Sequence, residues 1–193
     1  MIAIIDYGAG NVKSVENAVR KLGFETIITS DFEEIRNAEK VIFPGVGEAS
    51  TAMNYLKQRN LDTLIPTLKQ PFLGICLGQQ LLCDFSEEGN TQCLGIFNLK
   101  VKEFPATDIV PHMGWNNLQQ VKGDLLEGIS ADDNFYFVHS YYCETGENTT
   151  SECDYILPFS ATLQKDNFYG TQFHPEKSGD VGSIILKNFL TLK

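Results

Sequence analysis

The chain has 193 residues, 42% of them aliphatic, aromatic or cysteine, and a chain this long buries roughly 70% of its unfolded surface without a disulfide or metal staple. Fifteen basic residues against 25 acidic ones give a net charge of −10, which argues against a phosphate-backbone binder, so no nucleic-acid partner is expected. No apolar run approaches the roughly 20 residues of a membrane span. The start Met1-Ile2-Ala3-Ile4-Ile5-Asp6 lacks the basic and long apolar regions of a leader, so a cytoplasmic protein with no membrane partner is expected.

The first half alternates short apolar strands with helical spacing. Ile2 to Ile5 reads as a strand ended by the turn cluster Asp6-Tyr7-Gly8-Ala9-Gly10. Val12, Val15, Val19 and Leu22 recur at helical intervals, with Gly23 as the stop. Phe24 to Thr29 is rich in strand formers, and Ser30-Asp31-Phe32-Glu33 fits a capping box. Lys40 to Phe43 reads as a third strand broken by Pro44-Gly45-Val46-Gly47, followed by helix to about Lys69. Phe72 to Ile75 is a fourth strand, and Leu77 to Asp84 a helix.

Beyond residue 90 the texture changes. Phe97 to Val101 alternates with period two, and Phe135–Cys143, Tyr155–Leu163 and Phe168–Phe173 also read as strands. Ile184, Ile185, Phe189 and Leu190 suggest a terminal helix. The order predicts an α/β fold: a doubly wound, mostly parallel sheet with helices on both faces and antiparallel additions in the C-terminal half. No repeat or linker interrupts the chain, so residues 1–193 read as a single domain. Such sheets place ligands at the carboxyl ends of their strands.

The sharpest local feature is Gly74-Ile75-Cys76-Leu77-Gly78, between a strand and a helix. This is the layout of a nucleophile elbow with cysteine as the nucleophile. Small flanking residues allow a tight turn, a helix N-terminus favours a thiolate, and the Leu77 N–H can face an oxyanion. A buried structural cysteine fits the pentapeptide as well. His174-Pro175-Glu176 follows another strand. Residues two apart in an extended segment point the same way, so Glu176 can orient His174 and His174 can take a proton from a thiol. Alone, that tripeptide fits a surface turn; with the elbow, the two make a cysteine–histidine–acid constellation.

Pro44-Gly45-Val46-Gly47 ends a strand, and its glycines let the Val46 peptide change orientation, so its N–H can join Leu77 in an oxyanion hole. As a plain turn it needs no such role. Asp6–Gly10 is half of a dinucleotide fingerprint, but the third glycine is missing, and we discount it. Cys76, Cys83, Cys93, Cys143 and Cys153 lack metal-like spacing. They read as reduced thiols, and neither a metal nor a cofactor is expected. Asn148-Thr149-Thr150 matches a glycosylation sequon by chance.

Gly-Ile-Cys-Leu-Gly-Gln-Gln with a distant His-Pro-Glu resembles the triad (class I) glutamine amidotransferases over essentially the whole chain. Within them it is similar to the glutaminase subunits of imidazole glycerol phosphate synthases. That likeness lies in Ile5–Asn11, Pro44–Gly47, Pro111–Asn116, Tyr136–Tyr142 and Lys177-Ser178. The resemblance implies Cys76 as nucleophile, His174 as acid/base and Glu176 as its orienter, with oxyanion donors at Val46 and Leu77. It also implies glutamine contacts at Gly47, Gln80, Ser140 and Tyr141. Gln80, four residues after Cys76 on a helix, shares the nucleophile's face on its own terms. His112 and His139 are read as structural.

The chain ends after its terminal helix, so ammonia has no further domain to use it. The resemblance supplies a heterodimer partner, a cyclase subunit with a (β/α)8 barrel, and a reaction releasing imidazole glycerol phosphate and AICAR-phosphate. Met113, Trp115, Tyr136 and Lys177 are its candidate contacts, with core packing the alternative for each. Competing readings are a glutaminase subunit for anthranilate, aminodeoxychorismate or GMP synthesis, a self-sufficient γ-glutamyl hydrolase, and a non-catalytic doubly wound binding module.

Overall fold

Strand order follows from which segments are apolar on both faces. In the computed structural model, which describes residues 1–8 and 11–192, β1 (Ile2–Ile5), β3 (Lys40–Gly45) and β4 (Phe72–Cys76) are almost wholly buried. They form the centre of a seven-stranded sheet. β2 (Thr26–Thr29) pairs parallel on the outer side of β1. β13 (Phe168–Thr171) pairs parallel with β4, and β12 (Leu157–Lys165) and β11 (Thr149–Tyr155) extend that edge antiparallel. The fold is α/β, doubly wound and mostly parallel, with antiparallel additions in the C-terminal half. Ala9 and Gly10, two of the five residues of the expected first turn, lie outside the described residues.

Period-two alternation splits the core between the two faces. Ala3, Ile5, Val41, Phe43 and Phe72 meet α2 (Phe32–Asn37), α3 (Ala49–Gln58), α4 (Leu61–Leu64) and α5 (Leu77–Leu81). Ile2, Ile4, Ile42, Leu73 and Ile75 meet α1 (Val12–Lys21) and α6 (Gly179–Thr191). A small sheet of β5 (Phe85–Ser86), β6 (Thr91–Gln92), β7 (Lys100–Glu103) and β10 (Tyr141–Cys143) flanks the site. β8 (His112–Asn117) and β9 (Asn134–His139) make a separate antiparallel ribbon.

Several boundaries differ from the sequence reading. The third strand runs through Pro44 to Gly45, which pairs with Cys76. The cap of α2 is Asp31, accepting the Glu34 N–H at 2.9 Å, one residue beyond the expected box. α5 stops at Leu81 because the segment after β6 folds back: Leu94, Gly95 and Ile96 donate their N–H groups to the carbonyls of Leu81, Cys83 and Leu82. Phe97 to Leu99 is not strand, and the ladder begins at Lys100. The expected strand Tyr155–Leu163 is two strands meeting at Ile156, whose φ of +62° reverses the chain. The segment 135–143 likewise breaks at Ser140.

The approach of α5 to the sheet depends on missing side chains. A Cβ on Gly78 would sit 2.0 Å from the Phe43 carbonyl oxygen, and one on Gly45 would sit 2.5 Å from the Gly78 nitrogen. Helix propensity alone predicts that Gly78→Ala gains about 1 kcal/mol, whereas the backbone clash predicts a loss of about 2 kcal/mol or more. We expect the clash to win, and urea unfolding of Gly78→Ala decides it. A midpoint at or above wild type contradicts the packing argument.

Candidate active site

Cys76 is the last residue of β4 and the residue before α5, with φ +54° and ψ −110°. A non-glycine residue there is strained by about 1–3 kcal/mol. The strain turns strand into helix in one step and aims the thiol at a cavity of about 360 Å³, while leaving Cys76 only 7% exposed. The Leu77 N–H, first in the helix, has no intrahelical acceptor.

β13 lies beside β4, so the chain that follows it arrives next to Cys76. His174 is 2% exposed, and its Nδ1 donates to Glu176 Oε1 at 2.9 Å. Its Nε2 makes no hydrogen bond. Burial pulls the imidazole pKa down, but the neighbouring Cys76 and Glu176 outweigh it and raise it to about 10. His174 therefore carries charge through neutral pH. Its backbone is pinned on both sides: its N–H donates to the Tyr136 carbonyl at 3.0 Å, and the Ser178 hydroxyl donates to its carbonyl at 2.7 Å.

The remaining expected residues line the same cavity: Val46, Gly47, Leu77, Gln80, Ser140 and Tyr141. Gln80 Nε2 donates to the Tyr141 carbonyl at 2.8 Å and to Gln172 Oε1 at 3.0 Å. Val46 is placed differently from its expected role, because its N–H donates to the Tyr7 hydroxyl at 2.7 Å. Gly45 is needed for close approach to α5, and only Gly47, at φ +103°, uses glycine's conformational range.

Four residues near the chemistry escaped the sequence reading as individuals. Gln172 Nε2 reaches Cys76 Sγ at 3.6 Å, and Asn11 Nδ2 donates to Glu176 Oε1 at 3.1 Å. Glu88 brings a carboxylate to the cavity, with Oε2 accepting the Ala49 N–H at 2.8 Å. Tyr7 holds Val46. Gln172 carried a usable signal, since it lies two residues before His174 and shares its face. The other three meet the site only through strand order.

His112 and His139 are both buried, and His139 lines the cavity. His139 Nδ1 lies 2.8 Å from the Tyr141 carbonyl and so carries the proton. Its Nε2 then accepts from His112 Nδ1 at 3.1 Å, and His112 Nε2 from Asn116 Nδ2 at 3.4 Å. Met113 and Trp115, on the same ribbon, are 63% and 58% exposed. Trp115 meets Tyr136 edge-on at 5.8 Å, and Lys177 Nζ sits 5.9 Å above the Tyr136 ring. No helix among the described residues is long and apolar enough to cross a membrane.

A doubly wound α/β sheet with a thiol on a strand-to-helix elbow, and a buried imidazole and carboxylate at the end of the next strand, defines a class of cysteine-dependent acyl-transfer enzymes. Residues 3–192 match the family model "Glutamine amidotransferase class-I". Relatives include the "Imidazole glycerol phosphate synthase subunit HisH" of Bacteroides fragilis, 57% identical over 194 residues, with 99% of each chain covered. The protein of the same name from Haemophilus influenzae is 48% identical over 191 residues, covering 98% of this chain and 96% of its own. Among solved structures, a putative GMP synthase component from Thermoplasma acidophilum shares the fold with a TM-score of 0.76 at 19% identity, over 98% of this chain and 91% of that one. PurLQS from Thermotoga maritima gives 0.73 at 15% identity, over 98% and 96%. The chain belongs to the class-I glutamine amidotransferase family.

The paired histidines predict acid sensitivity with a definite sign. Burial lowers His112 to about 4 and His139 to about 3, with the charges of His112 and His174 adding to the latter. Unfolded histidine titrates near about 6.5, so below that pH the unfolded chain takes up protons that the folded chain refuses. Stability should therefore fall as pH drops from 6.5 toward 4, by about 1.4 kcal/mol per pH unit for each histidine. Urea unfolding at several pH values should give a shallower fall for His139→Gln than for wild type; parallel curves contradict the neutral-pair assignment.

Proposed function

We propose that this chain is a single glutaminase domain that hydrolyses L-glutamine through Cys76, His174 and Glu176 and delivers the ammonia to a cyclase subunit. The observation carrying the reading is the strained Cys76 beside a charged, Glu176-anchored His174. The names of the 57% and 48% identical relatives point to imidazole glycerol phosphate synthase as the assembly, and so to histidine biosynthesis in the cytoplasm.

The chemistry follows from the atoms present. Cys76 Sγ attacks the side-chain amide carbon of glutamine. The oxygen gains negative charge, and the Leu77 N–H, joined by Val46 once it is turned inward, stabilises that charge. His174 Nε2 gives its proton to the departing nitrogen, and ammonia leaves behind a γ-glutamyl thioester. Water then attacks the thioester while His174 takes its proton, and glutamate departs from the restored thiol. Gln80, Ser140, Tyr141 and Gly47 hold the amino-acid end of the substrate. The Glu88 carboxylate complements its α-ammonium group.

Ammonia released into water protonates and is lost as a nucleophile, so the product calls for an acceptor site joined to this one. The ribbon β8–β9 offers the docking face, with exposed Met113 and Trp115 beside Tyr136 and with Lys177 and Pro111 at the cavity mouth. A (β/α)8 cyclase barrel seated there receives ammonia and forms imidazole glycerol phosphate and AICAR-phosphate.

Two substitutions test the division of labour. Cys76→Ala should abolish glutamine-dependent synthesis by the assembled complex, yet leave synthesis from ammonium salts within about twofold; loss of both in an intact complex sinks the proposal. Glu176→Gln should preserve the fold and slow thioester formation by about 10–10³-fold. That is less than the roughly 10⁴-fold loss in serine proteases, because a thiolate–imidazolium pair leans less on its acid. A burst-phase rate within twofold of wild type removes Glu176 from the mechanism.

A further inference from the structure

We propose that Tyr7 is a positioning residue, a latch whose hydroxyl holds the Val46 peptide out of the oxyanion site and so keeps the unpartnered chain slow. The proposal rests on the glutaminase reading above.

Tyr7 follows β1 and is 4% exposed, edge-on to Phe43 at 5.5 Å and to Tyr55 at 6.3 Å. Its hydroxyl does two things at once. It accepts the Val46 N–H at 2.7 Å and donates to the Val46 carbonyl at 3.0 Å. An oxygen lone pair takes the first bond and the phenolic proton makes the second, so the pair requires a neutral phenol. Burial, with a smaller contribution from Cys76, keeps it neutral by raising its pKa, against a lesser opposing effect of the Val46 bond.

Those two groups belong to different peptides. The N–H is that of the Gly45–Val46 peptide, and the carbonyl that of Val46–Gly47. A single oxygen thus fixes both planes flanking the Val46 Cα. Val46 and Gly47 line the cavity that holds Cys76, whereas Tyr7 is outside the lining. The donor required for the oxyanion is therefore committed to a partner behind the cavity wall. Gly47 at φ +103° supplies the conformational range on the far side of Val46. What resists reorientation is the pair of bonds to Tyr7.

A phenylalanine at position 7 keeps the ring packed on Phe43 and Tyr55 and removes only the latch. The freed Val46 N–H and carbonyl then lack a buried partner, which favours rotation toward the cavity, where water or the oxyanion satisfies them. A role in packing predicts the opposite outcome, a slower or less stable enzyme.

The test is glutamine hydrolysis by the whole chain, alone and with the cyclase partner and its nucleotide substrate. For Tyr7→Phe alone, kcat should rise about tenfold, within the 10²–10³ ceiling of one oxyanion donor, with KM for glutamine within twofold. The rate of the loaded complex should hold, so the stimulation by partner falls about tenfold. An unchanged or lowered kcat for the variant alone overturns the latch. Should the variant not fold, amide exchange of wild type decides: a protected Val46 N–H in the free chain supports the latch, and an unprotected one overturns it. Failure of the underlying reading looks different. In that case wild type, even with partner, neither hydrolyses glutamine nor suffers alkylation of Cys76 by a chloroketone analogue of glutamine.

Discussion

The site depends on a backbone contact with no side chains in it. Gly45 at the end of β3 and Gly74 in the middle of the neighbouring β4 let α5 settle directly on them through Gly78. Because the helix begins so close to the sheet, the chain has one residue in which to turn, and Cys76 takes the strain. The cost is covered by the apolar packing of Phe43, Phe72, Leu77 and Leu81 on the same face. The geometry also decides what supports the thiol electrostatically. A helix of five residues offers only a fraction of the roughly half-charge of a full macrodipole. The imidazolium of His174 brings a whole charge to a thiol that is only 7% exposed. The helix orients the nucleophile, and the histidine carries the electrostatics.

A run of buried polar groups links Cys76 to the ribbon. Gln80, Gln172, Tyr141, His139 and His112 form a continuous chain of hydrogen bonds from the thiol to the ribbon. A chain in which each donor has its acceptor fixes the pocket's shape, since moving any member leaves another unpaired at about 1–3 kcal/mol. His174 Nε2 and Glu176 Oε2 are among the buried atoms left without partners. For Nε2 the proposed mechanism supplies the reason: there this atom gives a proton to the leaving nitrogen and takes one from water, and a permanent partner would compete with both.

What the sequence disclosed, and what it withheld, follows the range of each interaction. The elbow was legible because Gly74, Cys76 and Gly78 are adjacent and the steric demand among them is local. His174 and Glu176 were legible as a close pair, although the tight helical turn Pro175–Lys177, and not the expected extended segment, brings their side chains together. The ribbon strand β8 and the edge strand β11 were not, since the side chains they bury are polar or small: His112 in one, and Thr149, Ser151 and Cys153 in the other. Ile156 hid a hairpin, as a β-branched residue at φ +62° gives no turn signal. Asn11 reaches Glu176 across 165 residues, and Tyr7 reaches Val46 across 39. Nothing at either end of those pairs announces the other; the parallel strand order alone brings them together.

The two halves of the site are held with very different strength, and that asymmetry bears on control. The acid/base half is over-determined: His174 is bonded through its N–H, its carbonyl and its Nδ1, and Glu176 is bonded again by Asn11. The His174 N–H bond runs to Tyr136 of β9, the strand paired with β8, on which Met113 and Trp115 are exposed. In the proposed oxyanion site, the Val46 peptide hangs on one phenolic oxygen. A binding event shifts a conformational equilibrium only by its differential affinity for the two states. Reorganising the acid/base half means breaking four or more bonds together, whereas turning Val46 means exchanging two for others of similar strength. On the function proposed above, a partner with a few kcal/mol to apply would act on the Val46 peptide, leaving Cys76 and His174 assembled in both states.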